Sequence, residues 1–173
     1  VSRLERTVRT GARTGLHVDT MLAAALLGEV LAPSDDLWLV SPWITDVQVL
    51  DNSQGAYDAI FPEAPPSGCR LSDILARAAA AGARVHVVTR PDPHNDDFLR
   101  RLSTTAPTTQ LRITCDADVH EKTLSGGDWI LSGSMNFTIR GMKVNDESVT
   151  YKVGGADAAQ ARLDLAERWK DGV

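Results

Sequence analysis

The densest run of reactive side chains is His120-Glu121-Lys122, followed at short distance by Gly133-Ser134-Met135-Asn136-Phe137-Thr138. Side chains alternate along a β-strand, so a strand running from His120 to Ser125 turns His120 and Lys122 to the same face. Gly126-Gly127 predicts a hairpin into a second strand, Trp129 to Gly133, which carries Ser134 and Asn136 back to the same place. That set of residue types suits phosphate chemistry. An imidazole with an ordinary pKa of about 6.5 is largely neutral near neutral pH and can attack phosphorus or exchange a proton. A lysine and an asparagine amide neutralise charge building on the equatorial oxygens, so no metal or other cofactor is required. His-x-Lys alone is a weak signal, and an isolated histidine is more often structural. The Gly-Ser-x-Asn at hairpin distance gives it weight.

The elements that must position these groups follow from periodicity. Val18, Met21, Leu22, Ala25, Leu26 and Val30 recur three or four apart and predict a helix over 18–31, with Asp19 as cap and Pro33 as stop. Leu37-Trp38-Leu39-Val40 reads as a strand buried on both faces. Thr45 to Gly68 lacks sustained periodicity and is expected to be a long irregular connection with a helical turn near Tyr57. A helix over 71–81, a strand over 84–89, a short helix over 95–102 and a strand over 111–114 come next. Glu147 to Val153 alternates as a strand, and 157–170 is a closing helix carrying Leu163, Ala166 and Trp169. The sum is a single α/β domain over 1–173, with a mixed, partly parallel sheet flanked by helices on both faces.

Composition bounds the function. The 173 residues match one ordinary domain, and 43% hydrophobic with 24% charged residues describes an average globular chain. A formal net charge of -5 argues against a protein that grips nucleic acid through an overall positive field, so phosphate contacts must be local. Arg3, Arg6, Arg9 and Arg13 form the one basic concentration, at roughly helical spacing over residues 1–15, and read as a solvated helical arm or a backbone-gripping one. Cys69 and Cys115 are too few for a disulfide scaffold and lack zinc spacing. A cytoplasmic setting without membrane insertion is expected, because the apolar stretches are short and the N-terminus lacks a signal-peptide pattern.

Other candidates carry less. His86 lies in a strand and reads as structural. His94, in the turn Arg90-Pro91-Asp92-Pro93-His94-Asn95-Asp96, sits at a strand's end, where substrate contacts gather. Asp46, Asp51, Asp92 and Asp96 match no calcium or zinc spacing and read as capping or solvated acids.

His120-x-Lys122 with Gly133-Ser134-Met135-Asn136-Phe137-Thr138 resembles the signature of the phospholipase D superfamily, the HKD proteins, which include phospholipases, nucleases and phosphodiesterases. The resemblance extends to Ser41-Pro42-Trp43 and implies a phospholipase D-like fold. It makes His120 the nucleophile and Lys122, Ser134 and Asn136 the phosphoryl-binding groups, with a second histidine, from another copy of the motif, as general acid. Family nucleases also have a glutamate that hydrogen-bonds the catalytic histidine. Glu147, in phase with the apolar side of its strand, is the candidate, against the plainer reading of a surface acid. One departure is visible: the family's aspartate position is Gly127 here, and Asp128 follows one residue later.

With one His-Lys motif per chain, the resemblance implies a homodimer whose two His120 residues face each other. The reading is a metal-independent phosphodiesterase, a nuclease acting on DNA rather than RNA through a covalent phosphohistidine. His94 and Lys122 are assigned with Asn136 to substrate binding. Resemblance to phospholipase-D-like proteins of bacterial anti-phage or DNA-modification clusters suggests partners among defence proteins. Two alternatives stand beside it: a catalytically weak dimeric nucleic-acid-binding or scaffold subunit, and a phospholipase or small-molecule phosphodiesterase.

Overall fold

The computed structural model describes residues 3–11, 18–61 and 65–169. Its elements run β1 (Leu4–Thr10), α1 (Asp19–Leu31), β2 (Asp36–Val40), β3 (Gln48–Asp51), β4 (Gly68–Arg70), α2 (Leu71–Ala80), β5 (Arg84–Thr89), α3 (Asp96–Thr105), β6 (Leu111–Cys115), β7 (Thr123–Ser125), β8 (Trp129–Gly133), α4 (Ile139–Lys143), β9 (Glu147–Val153) and α5 (Gly155–Arg168). Seven strands form one sheet in the order β1-β9-β8-β7-β2-β5-β6, and β3 pairs with β4 separately. β2, β5 and β6 are parallel, and the other neighbours in the large sheet are antiparallel. The sheet is therefore mixed and partly parallel, as its alternating elements predict.

β2 shows why a continuous apolar run is needed at the centre. Leu37 and Leu39 enter a large core with Val85, Val87, Leu124, Leu131 and residues of α1, α2 and α3. Trp38 and Val40 enter a smaller core on the opposite face with Val88, Val119 and, from α5, Leu165, next to Trp169. Helices thus cover both faces, and among the described residues α5 is the helix on the second.

Several expectations are corrected. The arginine-rich segment is an edge strand, β1, antiparallel to β9, with Arg3 paired to Glu5 and Asp157; Arg13 lies outside the described residues. The stretch 45–68 contains β3 and leads into β4, beside the short helical turn over Asp58–Ile60 near Tyr57. Asp19 sits in the first turn of α1 after Val18 and makes no capping bond. Leu163 of α5 is exposed and Leu165 faces the core in its place.

The predicted hairpin joins β7 and β8, pairing Thr123 with Ser132 and Ser125 with Ile130. Its tip is tied to α1 through a buried carboxyl. Glu29, 2% exposed, accepts hydrogen bonds from Trp129 Nε1 at 2.7 Å, Ser34 Oγ at 2.7 Å and Ser34 N at 2.8 Å. Ser34 Oγ in turn accepts from Gly127 N at 2.6 Å. On the opposite side Arg162 donates to Gly127 O at 2.8 Å. Gly126 has to be glycine, because a Cβ there would run into Glu29 Oε1 and Trp129 Nε1.

A buried donor that loses its acceptor costs about 1–3 kcal/mol. Glu29→Ala orphans the Trp129 and Ser34 donors together and is expected to lower stability by about 3 kcal/mol in urea unfolding. A loss under about 0.5 kcal/mol, the range of a surface change, would show that the tie is not structural.

Candidate functional site

The site lies where β2 and β5 end and where the β7-β8 hairpin begins and finishes. His120 and Lys122 precede β7 rather than lying within it, since the strand starts at Thr123. The turn Asp116 to Val119, closed by Val119 N to Asp116 O, delivers the chain to His120. The alternation argument therefore does not apply to the tripeptide, yet both side chains arrive at one place. A hollow of about 700 Å³ is lined by His120, Lys122, Ser134 and Asn136, together with Trp43 and Ser132.

Backbone partners hold the segments that carry these groups. Lys122 Nζ donates to His120 O at 2.6 Å, drawing its ammonium over the tripeptide. Gly133 N donates to Lys122 O at 3.3 Å, and Ser134 N to Ser148 O at 3.0 Å. Gly133 fits because a Cβ there would collide with Ser148 O, so the Gly-Ser pair permits close approach of β8 and β9. Asn136 follows before the Phe137-Ile44 bridge, where Thr45 N donates to Phe137 O at 2.8 Å. That bridge joins the Gly-Ser-Met-Asn-Phe-Thr block to the segment after β2.

The His120 ring and the Asn136 amide oxygen are uncommitted. Among the described residues the exposed His120 ring has no hydrogen-bond partner, and Asn136 Oδ1 is buried without one. Glu147 bonds elsewhere than the histidine: its carboxylate accepts from Ser134 Oγ, and from Asn145 Nδ2 at 3.3 Å. Ser134 Oγ also accepts from Ser148 N at 3.0 Å, so the glutamate fixes the serine. Burial pulls the Lys122 ammonium below the usual lysine range, the nearby Arg90 guanidinium adds to this, and Glu147 opposes it.

Arg90 is a residue that the sequence pattern does not single out. Its Nε donates to Val119 O at 2.8 Å, gripping the residue before His120, and its guanidinium lies 5.1 Å from the centre of the Trp43 ring. Trp43 Nε1 donates to Asp92 Oδ2 at 3.1 Å. Behind both loops sits Asn95, fully buried. Its Oδ1 accepts from Ile44 N at 2.8 Å, and its Nδ2 donates to Arg90 O at 2.9 Å, Thr89 Oγ1 at 2.9 Å and Pro42 O at 3.1 Å. One amide thus locks the ends of β2 and β5 together. The available signal was a polar residue following Arg90-Pro91-Asp92-Pro93 directly after a buried strand.

His94 stands apart from the hollow's lining, with Nε2 2.9 Å from Thr45 Oγ1 and its backbone N–H on Asp92 Oδ1. Asp46 binds Ser72 N and Oγ, each at 2.9 Å, a structural use. Asp128 is exposed at the hairpin tip, and its carbonyl accepts from Gly154 N. Among the described residues no helix is long and apolar enough to cross a membrane, and no group of three or more His, Cys, Asp or Glu is arranged to hold a metal.

No family model and no curated protein matches the sequence. Solved structures do. A phospholipase D family member, Nuc from Salmonella typhimurium, aligns over 99% of this chain and 94% of its own with a TM-score of 0.58 and 16% identity. NucT from Helicobacter pylori aligns over 99% of both chains, with a TM-score of 0.63 and 10% identity. The chain has the phospholipase D fold. This fold also covers 98% of the chain in its match to TrmBL2, an archaeal chromatin protein with a novel mode of DNA binding, at a TM-score of 0.58 and 12% identity; the match spans 54% of TrmBL2.

The Arg90 charge generates a signed prediction. Arg90→Ala removes a neighbouring cation that disfavours the protonated amine, so Lys122 should titrate at higher pH than in the wild type. Titration of the Lys122 side chain by NMR checks this; an unchanged or lower midpoint contradicts the assigned proximity.

Proposed function

We propose that the hollow is a phosphodiester-cleaving centre and that the protein is a metal-independent nuclease acting on DNA. The observation that carries the reading is the convergence of His120, Lys122, Ser134 and Asn136 on one hollow, with the imidazole uncommitted. The phospholipase D fold and the DNA-binding neighbour support it.

In this reading a neutral His120 nitrogen attacks phosphorus, forming an N–P bond as the P–O bond to the leaving group breaks. Lys122 and the Asn136 amide take up the negative charge gathering on the equatorial oxygens. Ser134, whose hydroxyl proton is held by Glu147, lines the hollow beside them and leaves the uptake of charge to Lys122 and Asn136. The departing oxygen needs a proton, and one His120 cannot be nucleophile and acid in the same step. A second chain, related by two-fold symmetry, supplies it through its own His120. Water, deprotonated by that second imidazole, then cleaves the N–P bond and restores both histidines. His94, one loop away, contacts substrate beyond the scissile phosphate.

The acidic chain fits because the required positive field is local. Lys122 lines the hollow and the Arg90 guanidinium lies close enough to act on it, so positive charge is gathered beside the place assigned to the chemistry.

Nicking of single- and double-stranded DNA in excess chelator tests the proposal, with light scattering run alongside. The wild type should be active as a dimer, and His120→Ala should lose at least about 10²-fold in rate, the lower range for acid-base and nucleophilic groups. Equal rates would remove the nucleophile, and an active monomer would exclude the shared site. Binding without cleavage would identify a scaffold, and cleavage of phospholipid alone would redirect the substrate class.

A further inference from the structure

The hollow around His120 has one wall of a different kind. Of the residues that line it, Trp43 is the one large aromatic and Ile130 the one aliphatic; the rest, Gly133 apart, carry imidazole, charged, hydroxyl or amide groups. At about 700 Å³ the hollow holds more than a phosphate group, so whatever flanks the phosphate must also find a surface there.

The indole is firmly held. Pro42 O accepts from Asn95 Nδ2 and Ile44 N donates to Asn95 Oδ1, so the peptide groups on both sides of Trp43 are tied to one buried amide. Trp43 O accepts from Ser41 Oγ at 2.9 Å, and Trp43 Nε1 donates to Asp92 Oδ2 at 3.1 Å. Asp92 is a strong acceptor, because the His94 backbone N–H and the indole hold its carboxyl below the usual carboxylate range.

Although Pro42 and Ile44 are buried, Trp43 between them is half-buried. The Arg90 guanidinium stands over one face of its ring, 5.1 Å from the centre. Neither Arg90 nor Asp92 lines the hollow. The covered face and the Nε1 edge are thus engaged outside the hollow, and the ring turns its other side to it. A flat, rigid, apolar wall beside phosphate-binding groups suits a planar neighbour. Every nucleobase has a π-face, and the sugar–phosphate chain carries that face alongside the phosphate. An acyl chain would need a channel of aliphatic side chains, which Ile130 alone does not make.

We infer that Trp43 is a stacking platform for the nucleobase next to the scissile phosphate, and that the protein takes single-stranded DNA in preference to duplex. The inference rests on reading the hollow as a phosphodiester-cleaving centre. A base within a duplex is already stacked and paired and must leave both arrangements to reach Trp43, whereas a single strand offers it at smaller cost.

Fluorescence anisotropy of a labelled single-stranded oligodeoxynucleotide tests this in the His120→Ala background, which keeps the strand intact; an abasic strand of the same length and the duplex of the same sequence are the comparisons. The base-bearing single strand should bind about tenfold more tightly than either, within the range of one stacked base. Trp43→Ala and Trp43→Leu should each remove that advantage, with abasic-strand binding and circular dichroism unchanged. Trp43→Phe should keep most of it, and Lys122→Ala should weaken both single strands alike. The inference is overturned if the abasic strand or the duplex binds as tightly as the base-bearing strand, if Trp43→Ala or Trp43→Leu keeps the advantage, or if either weakens both single strands equally. Each of these results leaves the nuclease reading standing where the wild type cleaves DNA. Absence of binding to any strand overturns the inference, and with no cleavage by the wild type it overturns that reading as well.

Discussion

Where β-strands end, backbone N–H and C=O groups lose their sheet partners, and in a buried setting each must find another. The candidate site is organised by this constraint. The peptide groups after β2 and β5 turn to one amide, Asn95, which satisfies Ile44 N, Pro42 O and Arg90 O. Val119 O turns to Arg90, and His120 O to Lys122. Two of the side chains that complete the backbone's hydrogen bonding, Arg90 and Lys122, also bring positive charge to the site. Positioning and electrostatics come from the same contacts.

The hairpin illustrates a related exchange. Where resemblance to the phospholipase D superfamily places an aspartate, this chain has Gly127, and the nearby Asp128 is exposed. The carboxyl that secures the tip comes from α1, as Glu29, through Ser34 Oγ and Trp129 Nε1. Gly126, the residue before Gly127, leaves the space that Glu29 and the indole fill. With the tip tied in this way, Lys122 and Ser134 line one hollow.

Much of this was legible in the chain. β2, α2, β5, the β7-β8 hairpin and β9 follow from apolar runs, alternation and glycine placement, because burial fixes each of them. β1 was not, since an edge strand exposed along most of its length carries no alternation, and arginines three apart mimic a helical face. β3 and β4 were hidden by brevity and by an irregular register between Gln48 and Leu50. In the site, His120, Lys122, Ser134 and Asn136 could be named because their types and spacing are local. Arg90 and Asn95 could not, because they act on backbone atoms that only folding brings near. Glu147 was legible as a partnered acid, but its bond goes to Ser134.

The central claim is that His120 itself forms a bond to phosphorus. Acid-labile phosphoryl adducts survive brief alkaline quenching, so the most direct measurement is peptide mass spectrometry after quenching the protein during turnover of a DNA substrate. The account predicts a DNA-phosphoryl adduct on His120 that accumulates and then decays as product forms. Turnover with no adduct, or with the adduct on another residue, would contradict it.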